Sequence, residues 1–174
     1  MQNFAAQASW ISLDAAAYRH NARIFRELLG PKVKLGAVLK GNAYGHGFAQ
    51  MLPLAHEAAD AIYVIDPFDG LAVRAFEAST GAARKQVLVL GAISDDEAVE
   101  LARAGVDVTL SNPADDAVAA LRKAKVKLRA HIHLDTGLGR EGFMPAELPA
   151  RAAWLSAAQD VIQVAGVLSH FANT

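Results

Sequence analysis

The residues of this chain that could do chemistry begin with Lys40. It ends the apolar run Leu35-Gly36-Ala37-Val38-Leu39 and is followed by Gly41-Asn42-Ala43-Tyr44-Gly45-His46-Gly47. A run of this kind suits a strand buried on both faces. An ammonium group at the end of such a strand is not a natural core residue. The glycines after it let the backbone turn tightly and approach a ligand. A lysine in a partly dry pocket gives up some of its preference for charge and becomes a nucleophile towards carbonyls. The best-known carbonyl partner of such a lysine is the aldehyde cofactor pyridoxal 5'-phosphate (PLP), held as an imine. Read alone, Lys40 could also end its strand and snorkel to solvent.

A second group lies late in the chain. His131 and His133 form an HxH pair that shares one face of a strand. With His170 they could form a metal cluster, or they could be polar residues of an inner strand face; we expect no metal. Gly137-Leu138-Gly139-Arg140-Glu141-Gly142 has the spacing of a dinucleotide loop. However, Phe143-Met144-Pro145 separates it from the next helix, and it follows a late strand, which argues against a nicotinamide cofactor. Arg140 offers a planar fork of donors. Asn42 and His46 read as residues that fix their loop, and His20 and His56 as helix-surface residues.

The elements that must position these groups alternate. Asp14 caps a helix to about Leu29 that stops at Gly30-Pro31. Strands are expected over Lys34–Leu39, Ala61–Ile65, Gln86–Leu90, Val106–Leu110, Lys127–Leu134 and Val161–Leu168. A helix runs through Met51, Leu52 and Ala55, and Asp66-Pro67 opens another to about Ala78. Ser94-Asp95-Asp96-Glu97 is a capping box for a helix to about Ala104. Ser111-Asn112-Pro113 should cap one to about Ala124, and the last runs from about Pro145 to Ala157. Six alternations with short connections imply right-handed βαβ units and a parallel sheet. Periodicity leaves two architectures open, a doubly wound open sheet and part of a TIM barrel. In both, the strands' C-terminal ends carry the site, and Lys40, the Asp135–Arg140 loop and His170 all fall there.

Composition narrows the class. The chain has 174 residues, 53% hydrophobic and 20% charged, with a formal net charge of -1. That balance makes no electrostatic case for nucleic acid or a membrane surface. No apolar run approaches the ~18 residues of a membrane span, and MQNFAAQASW lacks the layout of a secretory signal. The absence of cysteine removes disulfides and thiolate metal sites and fits a cytoplasmic protein.

The strings themselves carry a resemblance. AVLKGNAYGHG is similar to the PLP-lysine signature of alanine racemases, whose usual form has Ala at the position of Gly41. Ser9-Trp10-Ile11-Ser12-Leu13-Asp14, with Arg19-His20-Asn21, resembles that family's opening. His133 to Phe143 resembles its second signature, and Leu168-Ser169-His170-Phe171-Ala172 its later one. The four strings stand in the family's order along nearly the whole chain. The resemblance favours the barrel and implies PLP on Lys40. It also implies Tyr44 as a donor to the cofactor phosphate and Arg140 on the phenolic oxygen and the substrate carboxylate. His170 is implied beside the pyridine ring. It implies a homodimer acting on a small amino acid, with Lys40 as one base and a tyrosine of the partner subunit as the other.

This sequence departs from the family at His133, where many members have a lysine, often carbamylated, that helps hold the arginine. A neutral histidine could bond Arg140 itself, or an anion could fill the gap. Six of eight βα units are counted, and barrels of eight need ~250 residues. Residues 1–174 are therefore expected to be the N-terminal part of the racemase barrel domain, without the family's C-terminal β domain. The alternatives are a racemase of another small amino acid, such as serine, and a non-catalytic PLP-binding barrel domain.

Overall fold

The computed structural model describes residues 10–173. Ser9 of the opening string, and most of the stretch read for a signal, lie outside them. Helix α1 (Ala15–Leu29) starts where the Asp14 carboxylate accepts from the N–H groups of Ala16 and Ala17 at 2.8 and 3.0 Å. The chain then alternates: β1 (Gly36–Val38), the short turn α2 (Lys40–Tyr44), α3 (Phe48–Ala58), β2 (Ala61–Val64), α4 (Pro67–Thr80), β3 (Gln86–Val89), α5 (Asp95–Ala104), β4 (Asp107–Leu110), α6 (Asp115–Ala124), β5 (Leu128–Leu134), a 3₁₀ turn (Pro145–Glu147), α7 (Leu148–Ala157) and β6 (Ile162–Ser169). The Ser94–Glu97 capping box forms as its sequence dictates.

All neighbouring strands are parallel and their order is the order of the sequence, β1 to β6. That order decides between the two architectures. A doubly wound sheet reverses direction at its middle, whereas right-handed crossovers in unbroken order put every helix on one face and curl the sheet as in a barrel. The fold is thus an α/β barrel segment of six parallel strands. Its outer face is apolar: Ile62, Val64, Val87, Val89 and Val108 are fully buried under the helices. Burying one such side chain stabilises the fold by about 1.5–3 kcal/mol. The inner face carries the alternate residues, Tyr63, Gln86, Asp107, Thr109, Arg129, His131 and His133, and is polar.

Three expectations change. β1 is shorter than predicted and is not buried on both faces, because it is an edge strand; Val38 is 37% exposed. Helix α6 begins after Ala114, which makes no side-chain cap, rather than at Ser111-Asn112-Pro113. His56 is buried instead of lying on the helix surface. Its Nε2 lies 3.2 Å from Glu77, which also accepts from Arg74 Nη1 at 2.7 Å and from the Lys85 backbone N–H at 2.9 Å. Burial pushes the Glu77 carboxyl up, but these hydrogen bonds outweigh it and hold the group below the ordinary carboxylate range.

Candidate active site

The backbone after β1 takes an unusual path. Gly41, Asn42, Ala43 and Tyr44 all have φ between 53° and 60°. Only Gly enters this left-handed region freely; the other three cost about 1–2 kcal/mol each. The surroundings enforce the turn. Asn42 Oδ1 accepts from the Phe48 N–H at 2.7 Å, the Asn42 carbonyl accepts from Gly47 N–H at 3.0 Å, and His46 Nδ1 lies 2.9 Å from the Ala43 carbonyl. Asn42 and His46 therefore fix the loop, as their types suggested. The turn leaves the Lys40 side chain at the strand's C-terminal end.

Arg140 is presented by a loop tied down at both ends. Asp135 Oδ1 accepts from the N–H groups of Gly137 and Gly139 at 2.8 and 3.1 Å, and these bonds hold its carboxyl below the ordinary range. On the far side Phe143 is buried. Its N–H donates to the His133 carbonyl at 2.8 Å, and its own carbonyl accepts from Asp135 N–H at 3.1 Å. The glycines of this loop serve a fold-back onto β5 and open no helix.

Lys40, Arg140 and His170 meet. Together with His131, His133, Glu141 and the side chains of Ile65, Leu90, Thr109 and Leu168 they line one cavity of about 610 Å³ at the C-terminal ends of the strands. Tyr63 and Leu88 lie one inward-facing position deeper on their strands than Ile65 and Leu90, and Gln86 lies two deeper than Leu90. Tyr44 is not among the lining residues. It is 62% exposed and faces a neighbouring recess shared with α1, its ring centroid 5.9 Å from Lys40 Nζ.

His133 is buried, with Nδ1 at a long 3.5 Å from Ser111 Oγ. Burial, assisted by the Arg140 and His170 charges, depresses its pKa against the opposing pull of Glu141 and Asp135. Below it, Asp107 is buried and receives Arg129 Nε at 2.9 Å, His131 Nε2 at 3.0 Å and Gln86 Nε2 at 3.1 Å. A Cβ at Gly166 would lie 2.9 Å from His131 Nδ1, so the glycine makes room for that ring. The HxH pair is thus engaged by side chains of the inner face. Among the described residues no three His, Asp or Glu side chains are placed to hold a metal ion. The inner layer of Tyr63, Gln86, Asp107 and Thr109, and the position of Glu141, were not singled out from the sequence. The signal for the four strand residues is the period-two polarity of short strands, whereas Glu141, in the loop after β5, has no periodic signal.

The model of the family described as alanine racemase, N-terminal domain, matches residues 13–174. The chain belongs to the alanine racemase family. It is 34% identical to the alanine racemase of Synechocystis sp., over 96% of this chain and 44% of that one. The alanine racemase of Listeria innocua is 32% identical, over 95% and 43%. Among solved structures, alanine racemase from D-cycloserine producing Streptomyces lavendulae superposes with a TM-score of 0.81 at 33% identity, covering 92% of this chain and 42% of that one. A histidine racemase from Leuconostoc mesenteroides gives a TM-score of 0.80 at 27% identity, covering 91% and 42%. The chain spans less than half the length of these family members.

Proposed function

We propose that the protein is a PLP-dependent alanine racemase and that this chain forms the N-terminal part of its barrel domain. The observation that carries the reading is the convergence of Lys40, Arg140 and His170 on one cavity at the strands' C-terminal ends, in a chain of this family. The cavity fits the cofactor: an amine for the aldehyde, a guanidinium fork for the phenolic oxygen, an imidazole beside the ring, and Ile65, Leu90 and Leu168 as apolar walls. Tyr44, expected on the phosphate, lies beside the cavity with its ring centroid 5.9 Å from Lys40 Nζ, and that role rests on the resemblance. Measuring PLP affinity in Tyr44→Phe tests it.

When bound, PLP supplies the electron sink that acidifies the Cα–H of an amino acid. Lys40 takes that proton from one face and returns it, Arg140 holds the substrate carboxylate, and His170 flanks the ring. Inversion needs a second group on the opposite face. We assign it to protein outside residues 1–174, contributed across a homodimer. Residues 1–174 alone should therefore form D-alanine at no useful rate, since each general acid–base group typically contributes ~10²–10⁴-fold. We place the enzyme in the cytoplasm, supplying D-alanine for peptidoglycan; among the described residues no helix is long and apolar enough to cross a membrane. A racemase of another amino acid is the second reading, favoured by the similarity to a histidine racemase. Chiral analysis of the purified full-length protein with PLP and L-alanine, against Lys40→Ala, tests the proposal. D-alanine formed only by the wild type supports it, and cofactor binding without D-alanine leaves the non-catalytic reading.

A further inference from the structure

A second cavity, of about 280 Å³, opens between the loops that follow β3 and β4. It meets the main cavity at Leu90, Thr109 and Glu141, which line both. At the lower limit of whole-ligand pockets, it has room for part of a ligand whose remainder sits next door. Two observations give it chemistry. Thr109 is more than nine-tenths buried and its Oγ1 has no hydrogen-bond partner. A buried hydroxyl left unpaired is costly, and this one puts an unpaired polar group in the wall between the two cavities. Glu141 is the one carboxylate among the residues lining either cavity, in a site that otherwise presents Lys40 and Arg140. A lone carboxylate at the junction attracts a cation from a substrate that passes it.

The walls agree with a linear chain. Leu90, Ile93 and Leu110 offer apolar surface for methylenes, while Ser111 and Asn112 offer hydrogen-bonding groups. We infer that this side cavity, with Glu141 and Thr109 at its junction, is a side-chain subsite for a linear aliphatic amino acid that ends in an ammonium group. The inference rests on the racemase reading for the amino-acid end of the ligand, and it extends the substrate class beyond alanine.

The test has two arms. The first needs no cofactor and no turnover. Saturation-transfer NMR on the cofactor-free protein uses n-butylammonium as the probe and n-butanol as its uncharged control, with wild type, Glu141→Gln and Glu141→Asp. Transfer to n-butylammonium that exceeds n-butanol, is lost in Glu141→Gln and is kept in Glu141→Asp is the expected result. Absent transfer, equal transfer to both probes, or transfer unchanged in Glu141→Gln overturns the subsite. The second arm compares kcat/KM for L-lysine and its uncharged isostere L-norleucine in the PLP-loaded full-length protein. The lysine-to-norleucine ratio should fall about tenfold or more in Glu141→Gln, the size expected for losing a charge-assisted contact. An unchanged ratio overturns the subsite. A full-length protein that turns over no amino acid overturns the racemase reading, and the first arm then still decides the subsite.

Discussion

Replacing Gly142 by Ala should loosen the loop that carries Arg140. Gly142 has φ of 115°, and a Cβ there would lie 2.7 Å from the Asp135 backbone nitrogen, 2.9 Å from the Leu134 carbonyl carbon and 3.1 Å from the His133 oxygen. None of these is the end of a flexible side chain, so the backbone itself must move. A non-glycine residue held in such a region costs about 1–3 kcal/mol. The two hydrogen bonds between Phe143 and the His133–Asp135 backbone contribute about 0.5–1.5 kcal/mol each, and both are lost if the segment lifts off. The penalty therefore lies between roughly 2 and 6 kcal/mol if nothing relaxes. Gly139→Ala is the control. Its φ is 70° with no atom within 4 Å of the added Cβ, so it should cost only about 1–2 kcal/mol. Urea unfolding gives the stability difference, and amide hydrogen exchange at Asp135 and Phe143 shows where it acts. Faster exchange at those two amides in Gly142→Ala, with little change in Gly139→Ala, is the expected pattern. Equal unfolding midpoints for the two variants, or unchanged exchange at Phe143, would refute the reasoning.

Other predictions concern charge and caps. Glu77→Gln should destabilise the chain by about 3–5 kcal/mol, since it removes the buried member of an ion pair and leaves the half-buried Arg74 facing an uncharged partner; denaturant unfolding reads it. Glu77 and Asp107 both titrate below the ordinary carboxylate range when folded, so on acidification the unfolded chain takes up their protons first. Their stabilisation is full above that range and is lost as pH falls through it to the depressed values, which acid unfolding of wild type against Glu77→Gln measures. The His133 imidazole should stay neutral at pH values where an ordinary histidine is half protonated, because burial disfavours its charge; its NMR titration midpoint should lie below the ordinary histidine value. Asp14→Ala should lower stability by about 1 kcal/mol through loss of the α1 cap, a shift visible in thermal unfolding.

Much of this was legible in the sequence because local rules were strong. Asp14 and the Ser94–Glu97 box set helix starts by satisfying backbone N–H groups within three residues, so no distant contact was needed to read them. The Lys40, Arg140 and His170 strings told where chemistry could sit, and the parallel order of the strands brought them to one rim. The choice of barrel over open sheet depended on which strands neighbour which, which no local period encodes. His56 looked exposed because its helix position allowed it; only α4, packing opposite with Glu77, buries it. The path of the loop after Lys40 was not legible for a different reason: three consecutive non-glycine residues in left-handed conformation are too costly to expect from sequence, yet that turn sets where the Tyr44 ring lies.

The central claim is that Lys40 is the amine that carries the cofactor. The most direct measurement is borohydride reduction of the PLP-loaded protein, followed by peptide mapping of the attached pyridoxyl group. The account predicts the label on Lys40, in the peptide containing Lys40-Gly41-Asn42, with none in Lys40→Ala. A label on another lysine, such as Lys34 or Lys85, or full labelling retained in Lys40→Ala, would contradict it.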